Sequence, residues 1–167
     1  MGQFTLFTYI RPYLELIAQV DARTISLLLL AIGISGLAGT TAIGLVIKKQ
    51  LYKTLIIIPL LMALIALLLI PLATNLVAVS ILLALWGVLF TAAPVGWWSW
   101  VAHASKADTE SGGGLMVATV QFSIALGATV GGILFDHLGY ESTFCLSAGM
   151  LIVAALMTIQ TARRSAD

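Results

Sequence analysis

Long apolar stretches separated by short polar breaks run along the whole chain. A hydrocarbon core about 30 Å thick needs about 20 apolar residues in an α-helix, and five uncharged stretches meet this length. A sixth stretch starts apolar and then reaches Arg11, Pro12 and Glu15. We therefore predict one transmembrane domain over residues 1–167, with spans at 2–18 (partial), 26–47, 54–73, 76–101, 115–135 and 142–161.

The first of these stretches is too short to cross a bilayer. From Met1 to Ile10 a helix rises about 15 Å, which is half of the hydrocarbon thickness. We interpret the stretch as the outer part of a helix whose beginning is missing. An intact helix lying in the membrane interface is the alternative.

The composition agrees with a membrane location. Apolar residues make up 60% of the chain and charged residues 9%, whereas soluble domains are about 45–50% apolar and about 25% charged. The mean hydropathy is +1.09. A water-soluble fold of this length could not bury so much apolar surface, so the lipid bilayer is the first predicted partner.

Lysine and arginine collect on one side of the predicted topology. If successive loops alternate between the two sides, one side receives six basic residues and the other receives Arg23, with Arg11 nearby. Basic loops stay in the cytoplasm, so the C-terminus is predicted to be cytoplasmic. The six basic residues are Lys48, Lys49, Lys53, Lys106, Arg163 and Arg164.

Small residues recur at helix-packing spacings. Gly127 and Gly131 form a GxxxG pair beside Gly132, and Gly33 and Gly36 lie on the second span. In lipid, such residues allow two backbones to approach closely. We predict that these glycines bring helices together, and the same contacts would allow helices to slide during gating.

Proline and tryptophan cluster in the fourth span. Pro94 frees a backbone carbonyl and is predicted to kink the helix at a gating position. Trp97, Trp98 and Trp100 follow it at the predicted cytoplasmic end. An interfacial aromatic belt explains these tryptophans, and a place in a cavity wall is the alternative for at least one of them.

Polar groups at membrane depth are the best sequence-level pointers to a solute pathway. Trp86 lies mid-span, and its indole N–H needs a partner in a cavity or in a protein core. Gln121 faces either a cavity or a neighbouring helix. Arg11 and Glu15 are four residues apart and can form an interfacial ion pair or contact an anionic solute. Tyr9, Arg11, Trp86 and Gln121 are the candidates for a substrate cavity.

Other function classes lack their signals. The sequence shows no nucleophile with a base, no HExxH and no P-loop, so we predict no enzymatic activity and no cofactor. The single cysteine, Cys145, excludes an internal disulfide, and His103 and His137 fall on opposite sides of the membrane, which argues against a shared metal. The net charge of +1 favours no nucleic-acid partner.

Four tracts carry a resemblance to a known family. They are TYIRPYLE at 8–15, APVGWWSWVA at 93–102, SGGGLMVATVQ at 111–121 and LGATVGGILFDHLGY at 126–140. Together they resemble the C-terminal half of the major facilitator superfamily. The closest group is that of drug:proton antiporters, which includes bacterial sugar-, arabinose- and nucleoside-efflux permeases.

The resemblance implies an all-α integral membrane fold with six helices, corresponding to helices seven to twelve of the complete family fold. The first helix would be truncated, and residues 2–73 and 75–161 would form two inverted three-helix repeats. It also implies secondary active, proton-coupled efflux of a small organic solute, such as a sugar, nucleoside or drug, across the bacterial inner membrane.

Two departures from the family pattern affect this expectation. The family's loop motif, roughly G-x-L-x-D-R-x-G-R-K, is degenerate at residues 44–53, where Lys48 stands in place of the aspartate and Leu51 in place of the second glycine. The family's N-terminal half, with its acidic coupling residue, is outside this sequence. The resemblance therefore implies a partner, either a separate six-helix half or a second copy. The alternatives are an inactive truncated product and a small non-transporting membrane scaffold.

Overall fold

The computed structural model describes residues 1–104 and 109–164, and it describes no side chains at 45, 48, 49, 103, 104, 109–112 and 164. In this part of the chain the secondary structure is entirely helical, which confirms the predicted fold class. The helices are α1 (Gly2–Leu16), α2 (Ala22–Leu68), α3 (Leu76–Ala104), α4 (Thr109–Leu138) and α5 (Tyr140–Arg164).

Five segments are long and apolar enough to cross a membrane, because α2 contains two of them. α1 has 15 residues, which corresponds to a rise of about 22 Å and falls short of a hydrocarbon core of about 30 Å. The five segments are Ala22–Gly44, Gln50–Leu68, Leu76–Ala102, Gly113–Leu138 and Tyr140–Arg163.

The break that the sequence suggested between residues 48 and 53 is a kink inside α2. Only Gln50 leaves the helical conformation, with φ −148° and ψ 55°, and the helix resumes at once. This segment contains neither glycine nor proline, and lysine, glutamine and leucine all propagate helices well. The two spans of α2 are therefore joined by an angular bend, and an irregular loop at this place is not found.

Turn chemistry separates the other helices. Gly139 adopts φ +85° between α4 and α5, a left-handed conformation that glycine accepts without steric cost at a helix C-terminus. Asp21 caps α2, because its carboxylate accepts hydrogen bonds from the backbone N–H of Arg23 at 3.1 Å and of Thr24 at 3.3 Å. The Thr24 hydroxyl donates to the same carboxylate at 2.6 Å.

Removing the cap at Asp21 is expected to destabilise the start of α2 in a pH-dependent way. The bonds from the Thr24 hydroxyl and backbone lower the pKa of Asp21, so its stabilising effect is complete above the pKa of the unfolded carboxyl, about 4, and is lost as the pH falls further. Asp21→Ala should lower the thermal midpoint at neutral pH, and the difference should shrink in acid, because protonation removes the part of the stabilisation that depends on the charge.

The control for this prediction is Asp21→Asn, because asparagine also caps helices but carries no charge to titrate. Thermal unfolding in detergent across a pH series measures all three proteins. A difference between wild type and Asp21→Ala that persists unchanged well below pH 4 would contradict a stabilising contribution from the charge of the Asp21 carboxylate.

The core lies where α1, α2, α3 and α5 meet. Trp86, Tyr13 and Phe144 are the largest fully buried side chains. The Tyr13 hydroxyl donates to the carbonyl of Leu69 at 2.7 Å, and its ring packs on Phe144 with centroids 4.9 Å apart. Tyr13 therefore ties α1 to α2 and α5 at the end of the bundle that carries Asp21.

Two close helix crossings are built from small residues. Where α2 meets α3, a Cβ added at Gly36 would lie 2.8 Å from the methyl group of Thr91, and the Thr91 hydroxyl donates to the Gly36 carbonyl at 2.7 Å. A Cβ at Gly39 would lie on the carbonyl oxygen of Val88. Gly33 faces open space, so within this chain it does not perform the packing role that its spacing suggested.

The second crossing joins α1 to α4. A Cβ at Gly127 would lie 2.9 Å from the Thr5 hydroxyl, and a Cβ at Gly131 would lie 3.1 Å from the Tyr9 ring. The first helix of each three-helix repeat thus packs on glycines in the second helix of the other repeat, an arrangement expected of inverted repeats. Gly132 completes this surface against the Tyr9 hydroxyl.

Candidate functional site

A cavity of about 800 Å³ opens at the end of the bundle where α2 bends, α3 ends and α4 begins. The helical walls come from the second span of α2, from α3, α4 and α5, and the amino end of α1 forms one end of the cavity. Most of the lining is apolar. The polar side chains in it are Gln3, Trp97, Trp98, Trp100, Thr119, Gln121 and Ser123.

The three tryptophans at the end of α3 all line this cavity. Trp97 and Trp100 meet edge to face with ring centroids 6.1 Å apart, and the Trp100 indole N–H donates to the Tyr52 hydroxyl at 3.4 Å. Trp98 is 46% exposed. Pro94 also lines the cavity, and α3 continues through it. In this structure all three tryptophans therefore lie in a cavity wall, which the sequence analysis offered as the alternative to an interfacial belt.

An aromatic cluster that sequence reasoning missed joins α1 to α3. The Phe7 ring stacks on Phe90 with centroids 4.5 Å apart and planes 23° from parallel. Phe4 meets the same ring edge to face at 5.4 Å. Phe7 is 38% exposed, so the aromatic face, defined as Phe4, Phe7 and Phe90, is partly accessible at the surface of the bundle.

The aromatic face could not be found from the sequence because its rings come from helices more than 80 positions apart. Phenylalanines in an apolar chain give no signal of their own. The available signal was the spacing of Phe4, Phe7 and Arg11 on α1, which places all three on one side of a helix. This spacing could be interpreted only with knowledge of which helix contacts α1.

Arg11 and Glu15 form the predicted ion pair on the exposed side of α1. The Arg11 Nε donates to the Glu15 carboxylate at 2.8 Å, and the two side chains are 70% and 42% exposed. They follow Phe7 at helical spacing, so the exposed side of α1 carries an aromatic ring, then a cation, then a carboxylate. This order places polar groups beside the aromatic face.

Tyr9 lies between helices and makes a directed contact there. Its hydroxyl donates to the carbonyl of Ala128 at 2.6 Å, and its ring stacks on Phe135 with centroids 5.3 Å apart. The residue is half-buried against Gly131 and Gly132. Tyr9 therefore fastens α1 to α4 in this conformation and does not line the cavity.

Trp86 does not stand in a cavity wall, which corrects its place among the cavity candidates. Its side chain is fully buried in the cluster that includes Leu83 and Met62. The indole N–H has no hydrogen-bond partner within the described part of the chain. The sequence analysis left a cavity and a protein core open as its surroundings, and the structure places it in the core.

Gln121 does line the cavity, and it is exposed on α4 near the amino end of α1. Lys53 is exposed just beyond the bend of α2. The side chains of Lys48 and Lys49 lie outside the described residues. In residues 1–104 and 109–164 no group of three or more His, Cys, Asp or Glu side chains is arranged to hold a metal ion.

The geometry thus consists of six helical segments with an apolar surface, two glycine-lined crossings and one large cavity. The family model of the major facilitator superfamily matches residues 1–166. The chain belongs to the major facilitator superfamily. Members of this family are membrane transporters, and the five membrane-length helices agree with that membership.

Three curated relatives illustrate the similarity. The transcription regulatory protein OpdE of Pseudomonas aeruginosa is 54% identical over 166 residues, which is 99% of this chain. The purine ribonucleoside efflux pumps NepI of Salmonella paratyphi B and Salmonella typhimurium are each 35% identical over 162 residues, or 97% of this chain.

This major facilitator chain spans 41% of the length of each of these relatives. A six-helix segment is therefore compared with proteins more than twice as long. No solved structure matches the chain.

Proposed function

We propose that this chain forms one half of a secondary active transporter that exports a small organic solute in exchange for protons. The observation that supports this most directly is the match to the major facilitator superfamily over residues 1–166. The similarity to NepI, named a purine ribonucleoside efflux pump, supports export as the direction of transport and a purine ribonucleoside as the class of solute. The residue that couples transport to protons would lie in the other half.

The aromatic face and the polar residues beside it suit a purine ribonucleoside. A planar base can stack on the Phe7 ring, since stacking on an aromatic side chain contributes about 1–3 kcal/mol per base. Arg11 and Glu15 can reach the base edge or the ribose hydroxyls with a donor and an acceptor. Gln121 is proposed as a further polar contact at the margin of the solute path.

A half of this kind needs a second surface to enclose a solute. α4 is the least buried of the five membrane-length segments, and Gln121 on it is exposed where it lines the cavity. A polar amide in hydrocarbon costs several kcal/mol without a partner. We propose that a six-helix N-terminal half, or a second copy, covers this side. The chain would lie in the bacterial inner membrane with its C-terminus in the cytoplasm.

Efflux assays test the proposal directly. Inverted membrane vesicles containing this chain together with an N-terminal half from a relative should take up radiolabelled inosine or guanosine when a proton gradient is imposed, and an uncoupler should abolish the uptake. Vesicles with the N-terminal half alone provide the control. Uptake that is equal with and without this chain would overturn the proposal.

Phe7→Ala should weaken the transport of nucleosides while leaving the fold intact, because Phe7 is exposed. Loss of one stacking partner worth about 1–3 kcal/mol raises KM roughly 5- to 150-fold. Phe122→Ala is the matched control, since Phe122 is an exposed phenylalanine on α4 outside the aromatic face. Equal KM values for the two variants would exclude stacking on Phe7.

Regulation is the second candidate function, and the relative named a transcription regulatory protein favours it because it is 54% identical. In that case the chain would act on gene expression from the membrane. Deletion of the gene would then change transcript levels in cells given no exported solute, and vesicle uptake would be absent. An inactive truncated product or a non-transporting scaffold would show neither effect.

A further inference from the structure

A smaller groove lies beside the large cavity, between α2, α3 and α5. It has a volume of about 280 Å³ and shares the side chains of Trp97 and Trp100 with the cavity. Tyr52 and Thr161 line the groove but not the cavity. Thr161 is exposed, and Met157 in the same lining is 63% exposed. The groove is therefore accessible from the surface of the bundle, which is covered by lipid in a membrane.

The polar side chains at the mouth of the groove lie at one depth in the bilayer. Tyr52, Trp100 and Thr161 each lie two residues inside one end of a membrane-length segment, which is about 3 Å along a helix. The Trp100 indole N–H donates to the Tyr52 hydroxyl at 3.4 Å. Tyrosine and tryptophan at this depth are typical of the boundary between lipid headgroups and hydrocarbon. The mouth of the groove therefore lies at the level of the headgroups.

The rest of the groove lies deeper and is mainly apolar. Leu55, Trp97, Met157 and Ala154 are five to nine residues from the same segment ends, which corresponds to roughly 7–14 Å along a helix. Thr158 also lies here, but its hydroxyl donates to the Ala154 carbonyl at 2.8 Å and so needs no ligand. A polar mouth above an apolar interior matches the order of headgroup and acyl chain in a phospholipid.

The charges near the groove are positive in the described part of the chain. Lys53 follows Tyr52 directly, Arg163 follows Thr161 by two positions, and both cations are exposed. Neither forms an ion pair within residues 1–104 and 109–164. The acidic side chains described by the structure are all near the opposite end of the bundle: Glu15, Asp21, Asp136 and Glu141. An anionic headgroup at the groove would therefore meet cations and no described carboxylate.

We propose that this groove binds an acyl chain of an anionic phospholipid, whose phosphate lies beside Lys53 at the level of Tyr52. The long stem of lysine lets its ammonium group reach the headgroup region, and Arg163 adds to the local positive potential. A soluble anion would leave the apolar interior empty, and a neutral lipid would leave the cations unused. α4, which the second half is proposed to cover, contributes no residue to the groove. The lipid site is therefore separate from the proposed transport path.

Brominated lipids test the proposal, because bromine quenches the fluorescence of a tryptophan that it contacts. The chain carries Trp98→Phe, since Trp98 is 46% exposed and would respond to bulk lipid, whereas Trp86 is fully buried. Trp97 and Trp100 in the groove are then the reporters. The chain is reconstituted in phosphatidylcholine vesicles that contain a small fraction of brominated phosphatidylglycerol or of brominated phosphatidylcholine. The relative binding constant should favour phosphatidylglycerol roughly 5- to 30-fold, the effect of one or two cations.

Four variants of this protein locate the lipid. Lys53→Gln should reduce the preference for phosphatidylglycerol about five-fold, and Lys53→Arg should retain it. Arg23→Gln is the matched control, because Arg23 is an exposed cation at the opposite end of the bundle. Thr161→Phe should fill the mouth of the groove and reduce quenching by both lipids. Its control is Gln160→Phe, at the exposed neighbouring position outside the groove, which should leave quenching unchanged.

Several results would overturn the proposal. Equal quenching by the two brominated lipids would show that the groove has no preference for an anionic headgroup. Equal losses in Lys53→Gln and Arg23→Gln would show a general attraction to the membrane surface, and equal quenching in Thr161→Phe and Gln160→Phe would place the lipid outside the groove. Displacement of the brominated phosphatidylglycerol by inorganic phosphate would identify a soluble anion as the ligand. No measurement here uses transport, so failure of the efflux proposal would leave this result standing.

Discussion

Gly39→Leu is expected to separate α2 from α3 and to unfold a large fraction of the protein in mild detergent. A Cβ at this position would lie directly on the carbonyl oxygen of Val88, and a backbone atom in a helix cannot move aside as the end of a side chain can. Overpacking costs about 1–3 kcal/mol and occasionally more, and a clash with backbone belongs at the upper end. Titration with sodium dodecyl sulfate measures the loss as a lower unfolding midpoint.

Gly33→Leu is the matched control for that experiment. Gly33 lies six residues earlier in the same helix, and a Cβ there meets nothing within 4 Å. The substitution adds the same leucine to the same span, so effects of hydropathy and membrane insertion cancel. Its free energy of unfolding should stay within about 0.5 kcal/mol of wild type. Equal losses for both variants would contradict the close α2–α3 crossing.

Trp86→Ala is expected to produce the second large loss of stability. The side chain is fully buried in the hydrophobic core, and truncating a buried tryptophan costs about 3–5 kcal/mol, mostly through lost packing. In a bilayer the packing contribution dominates, because lipid is itself apolar and moving an apolar side chain from lipid into the protein core gains little free energy. The unfolding midpoint in the same titration should fall well below that of wild type.

Two further tryptophan variants sharpen this prediction. Trp98→Ala on the same helix should change little, since Trp98 is 46% exposed. Trp86→Phe should cost much less than Trp86→Ala, because phenylalanine keeps most of the volume and removes an indole N–H that has no partner in the described part of the chain. Equal unfolding midpoints for Trp86→Ala and Trp98→Ala would contradict the buried position of Trp86.

Hydropathy predicts the six helical segments of this fold, because five apolar stretches are long enough to cross a bilayer and a shorter apolar stretch precedes them. The bend of α2 was not predicted from it. Lys48, Lys49 and Lys53 mark a polar break in the sequence, yet polarity does not interrupt a helix when every residue is a good helix former. Polar residues therefore locate the membrane boundary, but they do not determine whether the backbone leaves the helical conformation there.

The glycines show what periodicity can and cannot determine. Gly33, Gly36 and Gly39 recur every three residues, which corresponds to 300° around a helix of 3.6 residues per turn. A run of that spacing drifts around the helix, so all three cannot face one partner. The structure brings Gly36 and Gly39 against α3 and leaves Gly33 open. The direction of α3 decides between them, and the sequence does not contain that direction.

Of the four residues predicted to line a substrate cavity, Gln121 lines the cavity of this structure, whereas Tyr9, Arg11 and Trp86 do not. The Arg11–Glu15 pair follows from spacing within one helix, and the structure shows it at 2.8 Å. Trp86 and Tyr9 depend on neighbours from other helices, and neither lines the cavity. The aromatic face depends on α1 lying beside α3. Long-range packing is therefore the step at which inference from this single sequence stopped.

The bend at Gln50 has a practical consequence for handling the protein. Trypsin cleaves after lysine, but a protease must first draw several residues of its target into an extended strand. The backbone on both sides of Gln50 is helical, so it does not offer an extended strand to trypsin, although three lysines lie within six positions. Epitope tags and fluorescent labels inserted there would interrupt α2, whose 47 residues are helical on both sides of the bend. The turn at Gly139, where the backbone already reverses, is the safer place for them.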